Sequence, residues 1–86
     1  MSAAMLATVK TILREQWDPI GVGDVPEARD EYDRYAPGIV RSLGERPTVA
    51  SIAAQLLEIE TEQMGLKANR GRAERVARTL LQLADR

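Results

Sequence analysis

Apolar residues recur every three or four positions over the first part of the chain. This spacing places them along one face of a helix. The residues in that stripe are Met5, Leu6, Val9, Ile12, Leu13 and Trp17. The dipeptide Asp18-Pro19 ends the helix, because the residue before a proline avoids the helical region. The pattern predicts a first helix over about Ala3–Gln16.

A second apolar stripe runs from Val25 to Leu43, and Pro37-Gly38 interrupts it. Proline inside a helix removes a backbone donor and costs about 3 kcal/mol. The pattern therefore predicts a second helix that is either kinked or briefly broken at Pro37.

A third helix has recognisable ends. Thr48 is a candidate N-cap, the helical pattern continues to Met64, and Gly65 is a candidate left-handed stop. The buried stripe of this helix includes either Ile59 or Glu60.

A fourth helix is predicted over about Arg72–Ala84, with Asn69 as a candidate cap. The sequence shows no strand pattern and no internal repeat. We therefore expect the 86 residues to form a single all-α domain over residues 1–86. Its architecture is predicted to be a compact four-helix fold, in which a kinked or broken second helix follows a structured acidic loop.

The composition removes most catalytic chemistry. The chain has no cysteine and no histidine, which excludes thiol nucleophiles, disulfides and the usual general base near neutral pH. Ser2, Ser42 and Ser51 have no evident base as a partner, and there is no glycine-rich phosphate loop. We expect no enzymatic activity, no catalytic residues, no bound metal and no cofactor.

Charge and aromatic residues are concentrated in one segment, Gln16–Tyr35, which we call the acidic elbow. It holds the only tryptophan, both tyrosines and six of the thirteen acidic residues. Residues 15–33 contain seven acids and one arginine, a net charge of −6, whereas residues 66–86 contain six bases and two acids, a net charge of +4. The chain is therefore electrically polarised, although its formal net charge is only −1.

The acidic elbow has two main interpretations, and a third, in which Asp30 and Asp33 lie one turn apart and share a cation weakly, is less favoured. Asp24 and Glu27 flank Pro26 as in a capping box, and acids near a helix N-terminus stabilise that helix. The spacing of the acids matches no EF-hand calcium loop. The second interpretation is a partner-binding surface. Its candidate residues are Trp17, Asp18, Asp30, Glu31, Asp33 and Tyr35.

Within the acidic elbow, Trp17 is expected either in the core or at the rim of a contact surface. In the core, its indole N–H would bond a backbone carbonyl. At the rim, its ring would contribute strongly to binding a partner. Tyr35 is expected to expose its hydroxyl more than Tyr32 does.

The last helix carries a candidate basic ridge, which consists of Arg72, Arg75 and Arg78. Such a ridge can bind phosphates or an acidic protein surface. It can equally remain in solvent or pair with the acidic elbow of the same chain. Nucleic acid is the less expected partner, because the overall charge gives no attraction to it.

Three motifs occur in order along the chain: WDPIGV at Trp17–Val22, DEYDRY at Asp30–Tyr35 and IETEQMGL at Ile59–Leu66. Together they resemble the YugE-like family of short bacterial helical proteins. The resemblance covers about Ile12–Leu66 and implies a compact helical fold. It implies no particular activity. The Pro37-Gly38 order and the arginine-rich last helix depart from the family pattern.

The leading hypothesis is a non-enzymatic protein-interaction module that uses the acidic elbow against a basic partner. Immunity-like neutralisation of a basic partner is one form of that function. The alternative is a nucleic-acid-associated accessory protein that uses the basic ridge. The sequence shows no signal peptide and no stretch of about 20 apolar residues, so we expect a cytoplasmic protein without membrane contact. The sequence leaves a homo-oligomer open.

Overall fold

The structure is a computed structural model that describes residues 3–21 and 31–84. These residues form four α-helices and contain no strand. The helices are α1 (Ala3–Ile12), α2 (Ala36–Leu43), α3 (Val49–Glu58) and α4 (Arg70–Ala84). The prediction of a compact all-α fold with four helices is confirmed.

Two of the four helices continue into a turn of π-helix. The first π-turn, Leu13–Trp17, follows α1, and the second π-turn, Ile59–Gln63, follows α3. In the first, the N–H of Asp18 donates to the carbonyl of Leu13 at 2.9 Å, five residues back. The apolar spacing predicted these segments as continuous α-helix, because the difference between the two helix types is small over one turn.

The N-terminus of α3 is capped as predicted. The Thr48 hydroxyl accepts a hydrogen bond from the N–H of Ser51 at 2.9 Å, and the Ser51 hydroxyl accepts one from the N–H of Thr48 at 2.9 Å. This reciprocal pair is a capping box with serine in the position usually held by glutamate or glutamine.

The predicted ends of the next connection are also confirmed. Gly65 has a φ of +67° and follows the second π-turn. The Asn69 side chain accepts from the N–H of Arg72 at 3.1 Å and so caps α4, which begins at Arg70, two residues before the predicted start.

Of the two predicted forms of the second helix, the structure shows a break next to Pro37 and not a kink. A 3₁₀ turn, Asp33–Tyr35, precedes α2, and Pro37 lies in the first turn of α2. A proline in that position sacrifices no intrahelical hydrogen bond, because the first N–H groups of a helix have no partner in the helix. The helix therefore begins at Ala36, one residue before this proline, and is not kinked by it. The predicted start at Val25 lies outside the described residues.

Buried apolar residues from all four helices and from the acidic elbow form one core cluster. Helix α3 packs most extensively against α4, and α1 contacts both α2 and α4. The core members are Val9, Ile12, Leu13, Trp17, Tyr32, Ala36, Ile39, Val40, Leu43, Ile52, Ala53, Leu56, Ile59, Ala73, Val76, Ala77 and Leu80. The core thus holds both ends of the acidic elbow that are described.

Candidate functional site

The three aromatic residues of the acidic elbow come together around the indole of Trp17. The ring centroids of Trp17 and Tyr32 are 5.5 Å apart with the planes tilted by 53°. Tyr35 meets the indole edge to face, at 6.4 Å and 87°. Both arrangements are favourable for aromatic quadrupoles. Trp17 is only 1% exposed, so the core interpretation applies and Trp17 presents no surface to a partner.

The indole N–H of Trp17 donates to Oε2 of Glu60 at 3.1 Å. The expected backbone-carbonyl acceptor was therefore wrong. Glu60 is fully buried, with 0% exposure. A carboxylate can accept several hydrogen bonds at once, so Glu60 can serve the indole together with other donors.

Glu60 accepts two further hydrogen bonds through Oε1. One comes from the backbone N–H of Asn69 at 3.2 Å and the other from Nη2 of Arg72 at 3.0 Å, which makes an ion pair. We call Glu60, Trp17, Asn69 and Arg72 the Glu60 network. A buried carboxylate is costly unless donors and an opposite charge surround it. The Glu60 network supplies both, and it joins the end of the first π-turn to the second π-turn and to the start of α4.

A second set of hydrogen bonds holds the chain immediately after Trp17. The Tyr32 hydroxyl donates to Oδ1 of Asp18 at 2.6 Å and accepts from the N–H of Ile20 at 3.0 Å. Asp18 itself is in the left-handed region, with φ 35° and ψ 57°. The described part of the acidic elbow is therefore tied to the core by side-chain hydrogen bonds as well as by its aromatic rings.

The other predicted partner-binding residues have different exposures. Glu31 is exposed, Asp18 and Tyr35 are half-buried, and Asp33 is half-buried with an Oδ1 atom that accepts no hydrogen bond from a described residue. Asp30 lies outside the described residues, as does the predicted capping box of Asp24 and Glu27. The structure thus leaves Glu31 as the exposed acid among the predicted partner-binding residues that it describes.

The predicted basic ridge is divided. Arg75 and Arg78 are exposed on α4, but the side chain of Arg72 is only 22% exposed and pairs with Glu60. The prediction that Arg72 belongs to a surface ridge is corrected on this point, because its guanidinium balances a buried carboxylate. Two arginines of the ridge remain available to a phosphate or to a protein.

A cleft lies between α2 with its preceding 3₁₀ turn and α3 with the second π-turn. Its volume is about 490 Å³ and it opens to solvent. The residues that line it are Arg34, Tyr35, Gly38, Gln55, Glu58, Ile59 and Gln63. We call it the α2–α3 cleft. Of these residues, Tyr35 alone was predicted from the sequence as a candidate site residue.

Glycine contributes to the shape of this cleft. A β-carbon built on Gly38 would lie 3.8 Å from Nε2 of Gln55. A methyl group would therefore make an ordinary contact, whereas a longer side chain would extend across the space between the helices. The sequence did not connect Gly38 with Gln55, because their proximity depends on how the two helices pack.

Charged groups of opposite sign line the cleft without pairing. Arg34 and Glu58 are both exposed, and neither forms an ion pair with any described residue. Gln55 and Gln63 add amide groups, which both donate and accept hydrogen bonds. The lining includes no nucleophile beside a base, and the expected absence of enzymatic activity stays a prediction.

The described part of the chain contains neither a metal-binding cluster nor a membrane-spanning helix. Residues 3–21 and 31–84 contain no group of three or more acidic side chains arranged to hold a metal ion. None of the described helices is both long enough and apolar enough to cross a membrane. The predicted cytoplasmic location stays a prediction.

No protein-family model, curated protein or solved structure matches this chain. The resemblance to the YugE-like family therefore stays a prediction, and the function has to be argued from the residues themselves.

Proposed function

We propose that this protein is a non-enzymatic protein-interaction module. It binds a basic partner through the acidic residues of positions 15–33. The observation that carries the proposal is the distribution of ion pairs. Between described residues, Glu60 and Arg72 form the one ion pair, and that pair is internal. The exposed charged side chains of residues 3–21 and 31–84 form no ion pair with one another, which leaves them available to a partner.

Two acids of residues 15–33, Glu15 and Glu31, are exposed and form no ion pair with a described residue. The basic side offers Arg75 and Arg78, which are exposed and likewise form no ion pair with a described residue. Within the described residues, Glu15 and Glu31 are therefore not neutralised by Arg75 or Arg78 of the same chain. The long-range field of such a surface steers a complementary partner toward it.

The hydrogen bonds beneath the acidic side support the same function. The Glu60 network and the bonds between Tyr32, Asp18 and Ile20 hold the two described ends of the acidic elbow to the core. A surface that is ordered before binding loses less conformational entropy when it meets its partner. Immunity-like neutralisation of a basic partner is one function that such a surface could perform.

A charge-reversal experiment tests this function. The double variant Glu15→Lys and Glu31→Lys changes the formal net charge from −1 to +3. Immobilised protein is incubated at low salt with nuclease-treated extract of the native cells, and captured proteins are identified by mass spectrometry. We expect the wild type to retain a basic protein and the double variant to lose it, with an unchanged helical circular dichroism spectrum.

The matched control is Glu45→Lys with Glu62→Lys. It exchanges two exposed acids outside residues 15–33 and produces the same net charge. We expect this control to keep the partner, because position and not total charge determines the contact. Equal retention by both double variants would contradict the proposal. A parallel incubation uses extract without nuclease treatment, and retention seen only in that untreated extract would instead support the nucleic-acid alternative through Arg75 and Arg78.

A further inference from the structure

The proposed function leaves open how a partner is recognised at short range. From the α2–α3 cleft, and resting on the proposed function, we propose that the protein binds an extended peptide segment of its partner. The segment carries a basic side chain opposite Glu58 and an acidic side chain opposite Arg34.

The size and openness of the cleft suit a peptide segment. Its volume of about 490 Å³ lies within the range of about 300 to 1,000 Å³ that ligand sites occupy. Sites for small molecules usually enclose most of the ligand's surface. This cleft opens to solvent, and its polar lining residues are exposed or half-buried. Such a cleft suits a chain whose remaining contacts lie outside it.

The side-chain amides that line the cleft can form hydrogen bonds with a peptide backbone. Gln55 and Gln63 both come from α3 and its π-turn, eight positions apart. Each amide can pair with both the N–H and the C=O of a peptide group. An extended segment has unpaired backbone groups along its edges. The two glutamines therefore provide backbone contacts that do not depend on the partner's side chains.

Ile59 and Tyr35 give the cleft an apolar surface that an apolar side chain of the segment can contact. Ile59 is 9% exposed and forms a small apolar surface in the cleft. Tyr35 is half-buried and supported from behind by the indole of Trp17. A ring held in this way offers contact area at little further cost in side-chain entropy. We assign this apolar surface to an aliphatic or aromatic side chain of the segment.

The two charged residues of the cleft indicate which charges the segment carries. Arg34 and Glu58 line the same cleft but are not within ion-pairing distance of each other. A ligand with charges of one sign would approach a like charge at one of them, which is unfavourable. A segment with both signs satisfies both groups, and the pair also fixes the direction in which it lies.

Selection from a displayed library of random peptides tests this site. Peptides of about 10 residues reach about 33 Å when extended, so they can cross the cleft completely. On immobilised wild-type protein we expect enriched sequences with one basic and one acidic residue at a constant spacing around an apolar residue. On Arg34→Glu with Glu58→Arg we expect the two charges to appear in the reverse order.

Affinity measurements then use one peptide enriched on the wild type, labelled for fluorescence anisotropy. We expect Glu58→Lys to weaken its binding about tenfold or more, because a like charge replaces the carboxylate. Arg41→Glu is the control: it reverses an exposed charge of α2 that does not line the cleft. We expect its affinity to stay within about twofold of the wild type, since surface charges outside a contact contribute little.

The proposal is overturned if no common sequence is enriched, or if Glu58→Lys selects and binds the same peptides as the wild type. It is also overturned if amide chemical shifts on peptide binding change away from Gln55 and Gln63. Failure of this site is distinguishable from failure of the proposed function. One result would separate them: the Glu58→Lys protein still captures the basic partner, whereas the variant with Glu15→Lys and Glu31→Lys does not. That result would contradict peptide binding in the α2–α3 cleft and would support the protein-interaction function.

Discussion

The residue with the largest expected effect on stability is Glu60. Its carboxylate is 0% exposed and accepts from an indole N–H, a backbone N–H and a guanidinium. Each of these donors would lose its partner if the carboxylate were removed. Unsatisfied buried donors cost about 1 to 3 kcal/mol each, and a buried charge without its counter-charge costs more.

We predict that Glu60→Ala lowers the free energy of unfolding by about 3 to 5 kcal/mol. Glu60→Gln is expected to lower the free energy of unfolding by less, because its amide oxygen can still accept the hydrogen bond of Trp17. Some loss remains, because Arg72 no longer has its counter-charge. Urea unfolding followed by circular dichroism provides the free energies.

Glu62→Ala is the control for this series. Glu62 belongs to the same π-turn but is exposed and forms no ion pair with a described residue. Its substitution should change the free energy of unfolding by no more than about 0.5 kcal/mol. Similar unfolding midpoints for Glu60→Ala and Glu62→Ala would show that the Glu60 network does not stabilise the fold.

At the scale of elements, the structure depends on how helices end. Both π-turns are followed by a residue with positive φ, at Asp18 directly and at Gly65 after Met64. At the second of these ends the N–H of Leu66 donates to the carbonyl of Glu60 at 2.8 Å, across the glycine. This end of the helix therefore fixes the backbone of the same residue whose side chain organises the Glu60 network.

We predict that Gly65→Ala lowers the free energy of unfolding by about 1 kcal/mol. A β-carbon would meet no atom within 4 Å there, so the cost comes from the left-handed backbone alone. For a chain of this length the melting temperature should fall by about 4 to 8 °C.

Gly71→Ala is the matched substitution with the opposite expected sign. Gly71 lies in the first turn of α4 without a positive φ, and a β-carbon there would be 4.0 Å from Oδ1 of Asn69. Alanine restricts the unfolded chain more than glycine does, so a gain of about 0.5 kcal/mol is expected. Calorimetric scans of the two variants compare them, and equal melting temperatures would refute the backbone argument.

At the scale of the whole molecule, one core cluster includes residues of all four helices together with Trp17. The Glu60 network adds a polar connection between α1, α3 and α4 through the two π-turns. No described helix has a separate set of buried neighbours. Small domains with a single core usually unfold in one cooperative step.

We predict that the tryptophan fluorescence and the helical circular dichroism signal change together in urea, with one midpoint. The fluorescence reports the surroundings of Trp17, while circular dichroism reports all helices, so coincidence means one cooperative unit. Glu60→Ala should move both midpoints equally. Two separate midpoints in the wild-type protein would contradict the prediction of a single domain over residues 1–86.

The sequence predicted the helices well where the signal was local. The caps at Thr48 and Asn69 and the stop at Gly65 each depend on residues within a few positions. Pro37 was harder, because the same residue kinks a helix in its interior and suits its first turn. Which of the two applies depends on where the preceding turn ends, and that is not a property of the proline.

The site was predicted only in part. The sequence brought attention to the aromatic residues of the acidic elbow, but it assigned Trp17 a backbone acceptor and placed Arg72 on the surface. A useful signal was present: Glu60 is a charged residue on the apolar stripe of a helix, next to Ile59. Both positions turned out to be buried, and a buried carboxylate requires a cation and other donors from elsewhere in the chain.

The sequence by itself determined which segments become helices, where most of them end and which stripes face inward. These properties arise from backbone geometry and from contacts between near neighbours. The tertiary structure alone decided that Trp17 bonds Glu60, 43 positions away, and that Arg72 is withdrawn from the surface. It also decided the α2–α3 cleft, because a cleft is a space between helices and depends on how they pack.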